Sequence, residues 1–600
     1  MKEKFSLLKG KTSSVLKSVR TSRFGAWIPT NQEIKSAVKH MTAKETATLG
    51  IFTLIFIFGA ISIISKINDK YLVEVPAPGG EFSEGVVGPP RFINPLLASS
   101  DADRDLVSLI YSGLMRVNNS GELVTDLAES YQISDDKKNY IFKLKQNIYW
   151  HDGKPVTADD VVYTINTAKD PNLKSPRRAN WEGVTIEKLD NSTIQFTLKQ
   201  PYSSFLDNTT MGIMPKHVWQ GAEIAMFPFS EYNLQPIGSG PYKIFSLKTK
   251  SSGVPDYYDL KSFKDFSLGR PLIDYIRIKF YADEASLVGD YKNGTIEAMG
   301  LISPDNASDI KEIGSSLVVT SILPRVFAIF LNQNQSPALS ELGVRLALNT
   351  AMDRDEIIKK VLGGYGTAAL GPIPPNQMAT NETASDEKQG IDKLATARNL
   401  LKKAGWKINP ATKLWEKKNS KKVVVQLKIS LATADVPQLK ETAAIVKAQW
   451  EKLGIPTEVK VYEIGDLNQN IIRPRKYEAL FFGEIIGRNL DLFPFWHSSQ
   501  RNDPGLNISL YANSKVDKLL ESARTEMDAD NRASIYKKFQ DEIAKDMPAI
   551  FLYSPHFIYV TPQKIKNIHL APLTTSSERF ADVYDWYINT DKIWKIFLKK

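Results

Sequence analysis

Residues 47–65 read ATLGIFTLIFIFGAISIIS, nineteen positions without a charge. No other stretch limits the fold as strongly. At ~1.5 Å rise per residue a helix of this length crosses a ~30 Å hydrocarbon layer with its backbone polar groups satisfied internally. Ile and Phe recur on every helical face, and Lys66 ends the run. A buried helix of a soluble domain is one rival reading. A cleaved signal peptide fits poorly, because its apolar core spans ~7–15 residues and follows a short basic segment. Here 46 residues precede the run, and no small-x-small site directly follows it. We therefore read 47–66 as an uncleaved transmembrane anchor.

Orientation follows from charge. Residues 1–46 carry ten Lys or Arg against three Glu, a net +7, which leaves +3 of the chain's +10 for everything beyond. The excess ahead of the anchor puts residues 1–46 in the cytoplasm and the body outside, as a single-pass cell-membrane protein. Phe5, Leu8, Val15, Leu16 and Val19 are spaced among the cations, so the arm either lies on anionic headgroups or only sets topology. The nearly neutral remainder argues against a broad nucleic-acid face. Residues 67–78, with Pro76 and Pro78, read as a linker.

The body is too long for one ordinary domain, so at least two lobes are expected. The absence of Cys excludes disulfides, thiolate metal sites, a Cys nucleophile and a lipid-bearing N-terminal Cys. YIFKLKQNIYW (140–150) reads as a strand and 184–202 as a hairpin turning near Asp190-Asn191. Residues 441–454 read as a helix that stops at Gly454, followed by the strand TEVKVYEI. Residues 514–527 and 531–546 are amphipathic helices. The class is mixed α/β.

WHDGKPVTADD (150–160) crowds one His and three Asp into eleven residues. Asp152-Gly153 is a turn signal, Thr157 stands at an N-cap, and Asp160 follows three residues later. The carboxylates thus belong to a helix start. His151 has no second His at ligand spacing, and no metal or acid–base role is assigned to it. The chain lacks H-E-x-x-H, G-x-S-x-G and G-x-x-x-x-G-K-[ST], and its six His are scattered. No catalytic residue, cofactor or metal is expected.

The same stretch, W150-H-D-G-K-P-V-T-A-D-D-V161, resembles the F-x-D-G-x-P-x-T-A-x-D-V pattern of the family 5 solute-binding proteins of ABC importers, the dipeptide- and oligopeptide-binding type. Six further segments resemble that family in order: 79–97, 109–116, 127–134 with PKHVW at 215–219, GSGPYKI at 238–244, 344–375 and 532–553. The resemblance spans about 79–590. It implies a two-lobed periplasmic-binding-protein-like fold of type II, with an extra subdomain in the first lobe. Lobe I would comprise 79–117, 232–325 and 554–600, the subdomain 118–231, and lobe II 326–553. Hinge crossings are expected near 321–330 and 551–556, with a ligand enclosed between the lobes.

The implied function is capture of a peptide for an ABC permease and its ATPase subunits, by a monomer. The anchor would replace the missing lipid-bearing Cys and keep the receptor near its permease. In the loop 483–500, Glu484 stands where the family has Trp, Gly487 where it has the Asp that meets the peptide amine, and Leu492 where Pro follows Asp491. Glu484 or Asp491 would then replace the amine anchor, or the ligand lacks a free amine. Tyr111, Tyr202, Tyr242 and Asn332 are further ligand candidates. Trp496 is either a cleft wall or core, and Arg345 either meets a ligand carboxylate or binds within its lobe. A metal chelate or glycoside is the alternative ligand, and a membrane-anchored hydrolase the alternative class.

Overall fold

One fourteen-residue strand, Ala549–Pro562, organises the body. Its sequence, AIFLYSPHFIYVTP, is apolar on both faces, as a strand covered on both sides must be. The computed structural model describes residues 31–311, 316–375, 377, 392–418, 422–488 and 490–598. They form two compact units, one running to Val75 and resuming at Thr590, the other Pro76–Asn589.

In the first unit, helix Asn31–Lys39 precedes the 29-residue helix Ala43–Tyr71. Glu45 accepts a hydrogen bond from the Thr42 backbone N–H at 2.8 Å and thereby fixes the start of the longer helix. That helix is long and apolar enough to cross a membrane, and none of its residues is buried. It continues past Lys66, because KINDK contains no helix breaker, and gives way to strand Leu72–Ala77. The stretch expected as linker is thus helix end and strand. Strand Leu72–Ala77 pairs with Asn589–Trp594, so residues from Thr590 onward fall with this unit and not with lobe I. The first thirty residues of the basic arm lie outside the described residues.

In the second unit the main sheet runs, edge to edge, Thr457–Tyr462, Ile429–Ala434, Ala479–Ile485, Arg325–Leu331, Ala549–Pro562, Ala298–Gly300, Glu81–Val87, Tyr275–Tyr281, Pro255–Ser262 and Tyr242–Thr249. The long strand serves two partners in succession. Its first half pairs with Arg325–Leu331 (Phe330 opposite Ala549), its second half with Ser316–Ile322 (Ser316 opposite Pro562). The chain therefore passes between lobes at Leu323-Pro324 and again at Ser554–His556. Separate apolar cores lie on either side, one drawn from residues 326–553 and two from 82–323 with 557–586.

A further core belongs to the subdomain. Its antiparallel sheet orders Ala128–Ile133, Asn139–Leu144, Thr193–Leu198 and Val184–Lys188 over buried Trp150, Trp181 and Trp219. The strand expected at 140–150 stops at Leu144, because Asn147 adopts positive φ and turns the chain. The predicted helices are present as Pro437–Lys452, Ser514–Thr525 and Ala529–Asp546.

Candidate functional site

A cavity of ≈ 420 Å³ opens between lobe I, the subdomain and the loop after strand Ala479–Ile485. Helix Asp101–Ile110 supplies one wall and ends at Tyr111. Tyr111 is buried, and its phenol has no hydrogen-bond partner. Burial raises its pKa, so the phenol is neutral.

The segment GSGPY (238–242) holds that helix end in place. The Gly240 N–H donates to the Ile110 carbonyl at 2.8 Å. A Cβ on Gly238 would lie 1.9 Å from that same oxygen, so only glycine fits there. His151 braces the loop from behind. Its Nε2 donates to the Gly240 carbonyl at 3.1 Å, while its Nδ1 accepts from the Gly238 N–H at 3.3 Å. These bonds assign the neutral Nε2–H tautomer. Burial pushes the imidazole down to about 4. Asp160 accepts from the Thr157 N–H at 2.9 Å and the Lys216 N–H at 2.8 Å, as a helix-start carboxylate does. The motif at 150–160 is structural and shapes the site at second hand.

The opposite wall is the segment Thr574–Ala581. Arg579 fixes it from outside the cavity: the guanidinium, 3 % exposed, bonds Glu84 and Asp105 at 2.6 Å each, and Tyr559 donates to Glu84 at 2.8 Å. Two buried carboxylates thus share one cation, and desolvation raises the pKa of both.

Most charges around the cavity are already paired. Arg116 bonds Asp582 at 2.5 Å, Arg104 bonds Asp101 at 3.2 Å, and Arg488 bonds Glu578 at 2.5 Å. Buried Asp126 accepts from Ser267 at 2.7 Å. Asp126 makes no ion pair but has that hydroxyl donor; two more exposed wall residues have neither an ion pair nor a side-chain donor among the described residues. Half-buried Arg177 and Asp207 make no ion pair with a described residue. Desolvation raises the Asp207 carboxyl to about 6, against the attraction of Arg488. Burial and neighbouring Arg104 press the Arg177 guanidinium below its usual range. Among the described residues the wall thus presents the Arg177 guanidinium and the Asp207 carboxyl without an ion-pair partner, and the Tyr111 hydroxyl without a hydrogen-bond partner.

Lobe II is tied to the other two parts near the cavity. Arg488, on the lobe II loop, reaches the subdomain edge at the Gly121 carbonyl (3.0 Å) as well as Glu578 of lobe I. Ser203 of the subdomain donates its N–H to the Arg524 carbonyl of lobe II at 2.9 Å.

Of the residues singled out from the sequence, Tyr111 lines this cavity, as does Gly487 of the altered loop. Tyr242 is fully buried and donates to the Ile273 carbonyl at 3.0 Å. Asn332 is buried and donates to the Arg475 carbonyl at 3.0 Å. Trp496 is core, packed on Phe330 and Phe551. Asp491 forms a two-pronged pair with Arg524, closest at 2.6 Å, and the Arg524 guanidinium lies 3.9 Å above the Phe493 ring. Half-buried Tyr202 stands near that pair. Glu484 is 4 % exposed, one of its oxygens has no partner among the described residues, and desolvation raises its pKa well above the usual carboxylate range. It does not line the cavity. Arg345 gives its donors to the carbonyls of Asp546, Met547, Leu339 and Ser340 within lobe II.

Sequence reasoning missed Arg177 and Asp207. Neither lies in a recognisable motif, and only the fold brings the segments 177–181 and 207–212 to one wall.

A fold of two lobes joined by two crossings, with a cavity where lobe I, the subdomain and a lobe II loop meet, is that of a binding protein. The comparisons with known proteins specify which: residues 122–505 match the family described as bacterial extracellular solute-binding proteins, family 5. The chain belongs to that family, and its body has the type II periplasmic-binding-protein fold. It is 28% identical to the oligopeptide-binding protein AppA of Bacillus subtilis over 504 residues, 83% of this chain and 90% of that one. The crystal structure of the ABC transporter substrate-binding protein CtaP from Listeria monocytogenes superposes with TM-score 0.72 at 28% identity, covering 85% of this chain and 99% of that one. NikZ from Campylobacter jejuni, in complex with Ni(L-His), gives TM-score 0.65 at 27% identity, covering 84% and 99%.

Proposed function

We propose that this protein is a membrane-anchored receptor that captures short peptides outside the cell and delivers them to an ABC permease and its ATPase subunits. The observation that carries the ligand reading is the Asp207 carboxylate and the Arg177 guanidinium, both without an ion pair among the described residues, on the wall of one cavity. A zwitterion with separated charges satisfies both, its ammonium at Asp207 and its carboxylate at Arg177, where Tyr111 adds a hydroxyl. Asp207 then does the work of the carboxylate absent at Gly487. A volume of ≈ 420 Å³ is at the small end of the usual ~300–1,000 Å³ for ligand sites, which favours a few residues over a long peptide. AppA is named for oligopeptides, and peptide capture agrees with that relationship.

Helix Ala43–Tyr71 is the anchor in this reading, with the N-terminus cytoplasmic and the body outside. The receptor acts as a monomer and releases its ligand unchanged. Mass spectrometry of ligand freed by denaturing the gently purified full chain tests this. Intact two- to four-residue peptides are expected. A single metal chelate, of the kind bound by NikZ, would overturn the peptide reading, and progressive cleavage of added peptide would overturn the receptor.

A further inference from the structure

The strand that follows the long helix pairs with the last strand of the chain, and the residues beyond that pairing are apolar and uncovered. Trp594 is 43% exposed, Ile596 75%, Phe597 70% and Leu598 41%. Four large apolar side chains within five residues form a patch that soluble surfaces seldom present. Basic residues accompany them: Lys592 and Lys595, with Lys599 and Lys600 next in the sequence, against a single Asp591.

Position identifies what covers this patch. The Trp594 indole N–H donates to Asn68 Oδ1 at 2.7 Å. Asn68 lies on helix Ala43–Tyr71, three residues past the end of the apolar run at Ser65. At ~1.5 Å per residue that is about 5 Å beyond the hydrocarbon boundary, within the headgroup layer. Trp and Tyr concentrate at this depth, and Tyr71, half exposed, stands one turn further along. The 3₁₀ turn Lys595–Phe597 follows Trp594 directly and leaves Ile596 and Phe597 exposed.

We infer that Trp594–Leu598 is a second membrane contact, an apolar and basic foot seated in the outer headgroup layer against anionic lipid. It rests on the anchor reading above. Its apolar side chains enter the acyl boundary, while the lysines remain with the phosphates.

The absence of Cys makes the test direct. Full-length Ile596→Cys, Phe597→Cys and Phe56→Cys variants each carry one environment-sensitive fluorophore and are reconstituted into phosphatidylethanolamine–phosphatidylglycerol vesicles. Quenching is read with lipids spin-labelled near the headgroup or deep in the chain. The probe at 56 should be quenched by the deep label. Probes at 596 and 597 should be quenched by the shallow label, at least roughly two-fold more than by the deep one, as expected for an interfacial segment. Adding Trp594→Ala should abolish that quenching. A quenched probe at 56 with unquenched probes at 596 and 597 overturns the foot and leaves the anchor, whether those probes are open to aqueous iodide or shielded by protein. An unquenched probe at 56 overturns the anchor itself, and the foot with it.

Discussion

Asp207 and Arg177 carry the ligand assignment, so the residue scale is where its energetics are checked. A hydrogen bond to a charged group contributes roughly 1.5–3 kcal/mol, equivalent to about 10- to 150-fold in affinity. Arg177→Gln is expected to weaken binding of a free-acid peptide by that range and to leave binding of its C-terminal amide nearly unchanged, measured by calorimetry. Asp207 adds a pH dependence. Its carboxyl titrates at about 6, so it is anionic above that pH and neutral below it. Affinity for a peptide amine should therefore fall as pH drops through about 6, and an N-acetylated peptide should show no such fall. An unchanged affinity between pH 7 and pH 5 would remove Asp207 from the site.

At the scale of elements, the loop 238–242 and the segment 574–581 position the two walls, and each depends on groups that never touch ligand. His151 titrates at about 4 in the fold against about 6.5 in an unfolded chain. Between those values the unfolded state binds the extra proton, so stability rises with pH. This contribution is complete above about 6.5 and is lost as pH falls toward about 4. His151→Asn should flatten the dependence of unfolding free energy on pH near pH 5 by up to about 1.4 kcal/mol per pH unit, read by denaturant titration. Arg579→Met leaves Glu84 and Asp105 buried without their cation. Removing one partner of such a cluster costs about 3–5 kcal/mol. Its thermal midpoint should drop sharply, whereas Asp491→Asn, which perturbs a half-buried surface pair, should shift it far less.

Much at this scale was legible beforehand, because local chemistry determined it. The capping pattern at 157–160, the Gly454 stop and the amphipathic helices of 514–546 rest on neighbouring residues alone. Expectations that depended on long-range neighbours fared differently. Trp496 and Asn332 are fully buried by partners remote in sequence, and Asp491 meets Arg524 thirty-three residues away. No spacing rule announces such pairings. Arg177 and Asp207 were invisible for the same reason: they stand out because neither has an ion-pair partner among the described residues.

Over the whole molecule, closure joins three parts that the hinge strand leaves separable. Arg488 spans lobe II, the Gly121 carbonyl and Glu578, and the Ser203–Arg524 bond adds a second tie. Because Arg488 lines the cavity and ties lobe II to both other parts, Arg488→Ala should favour the open state and speed ligand release several-fold, with little change in the stability of either lobe. Stopped-flow displacement of a fluorescent peptide reads that rate. The most direct test of the central claim is a calorimetric cycle with one short peptide, free or N-acetylated, against the wild-type protein and Asp207→Asn. If Asp207 receives the amine, acetylation weakens wild-type binding at least about tenfold and barely affects Asp207→Asn. If acetylation costs the same in both proteins, the amine is recognised elsewhere or not at all, and the assignment of this cavity to a zwitterionic peptide is wrong.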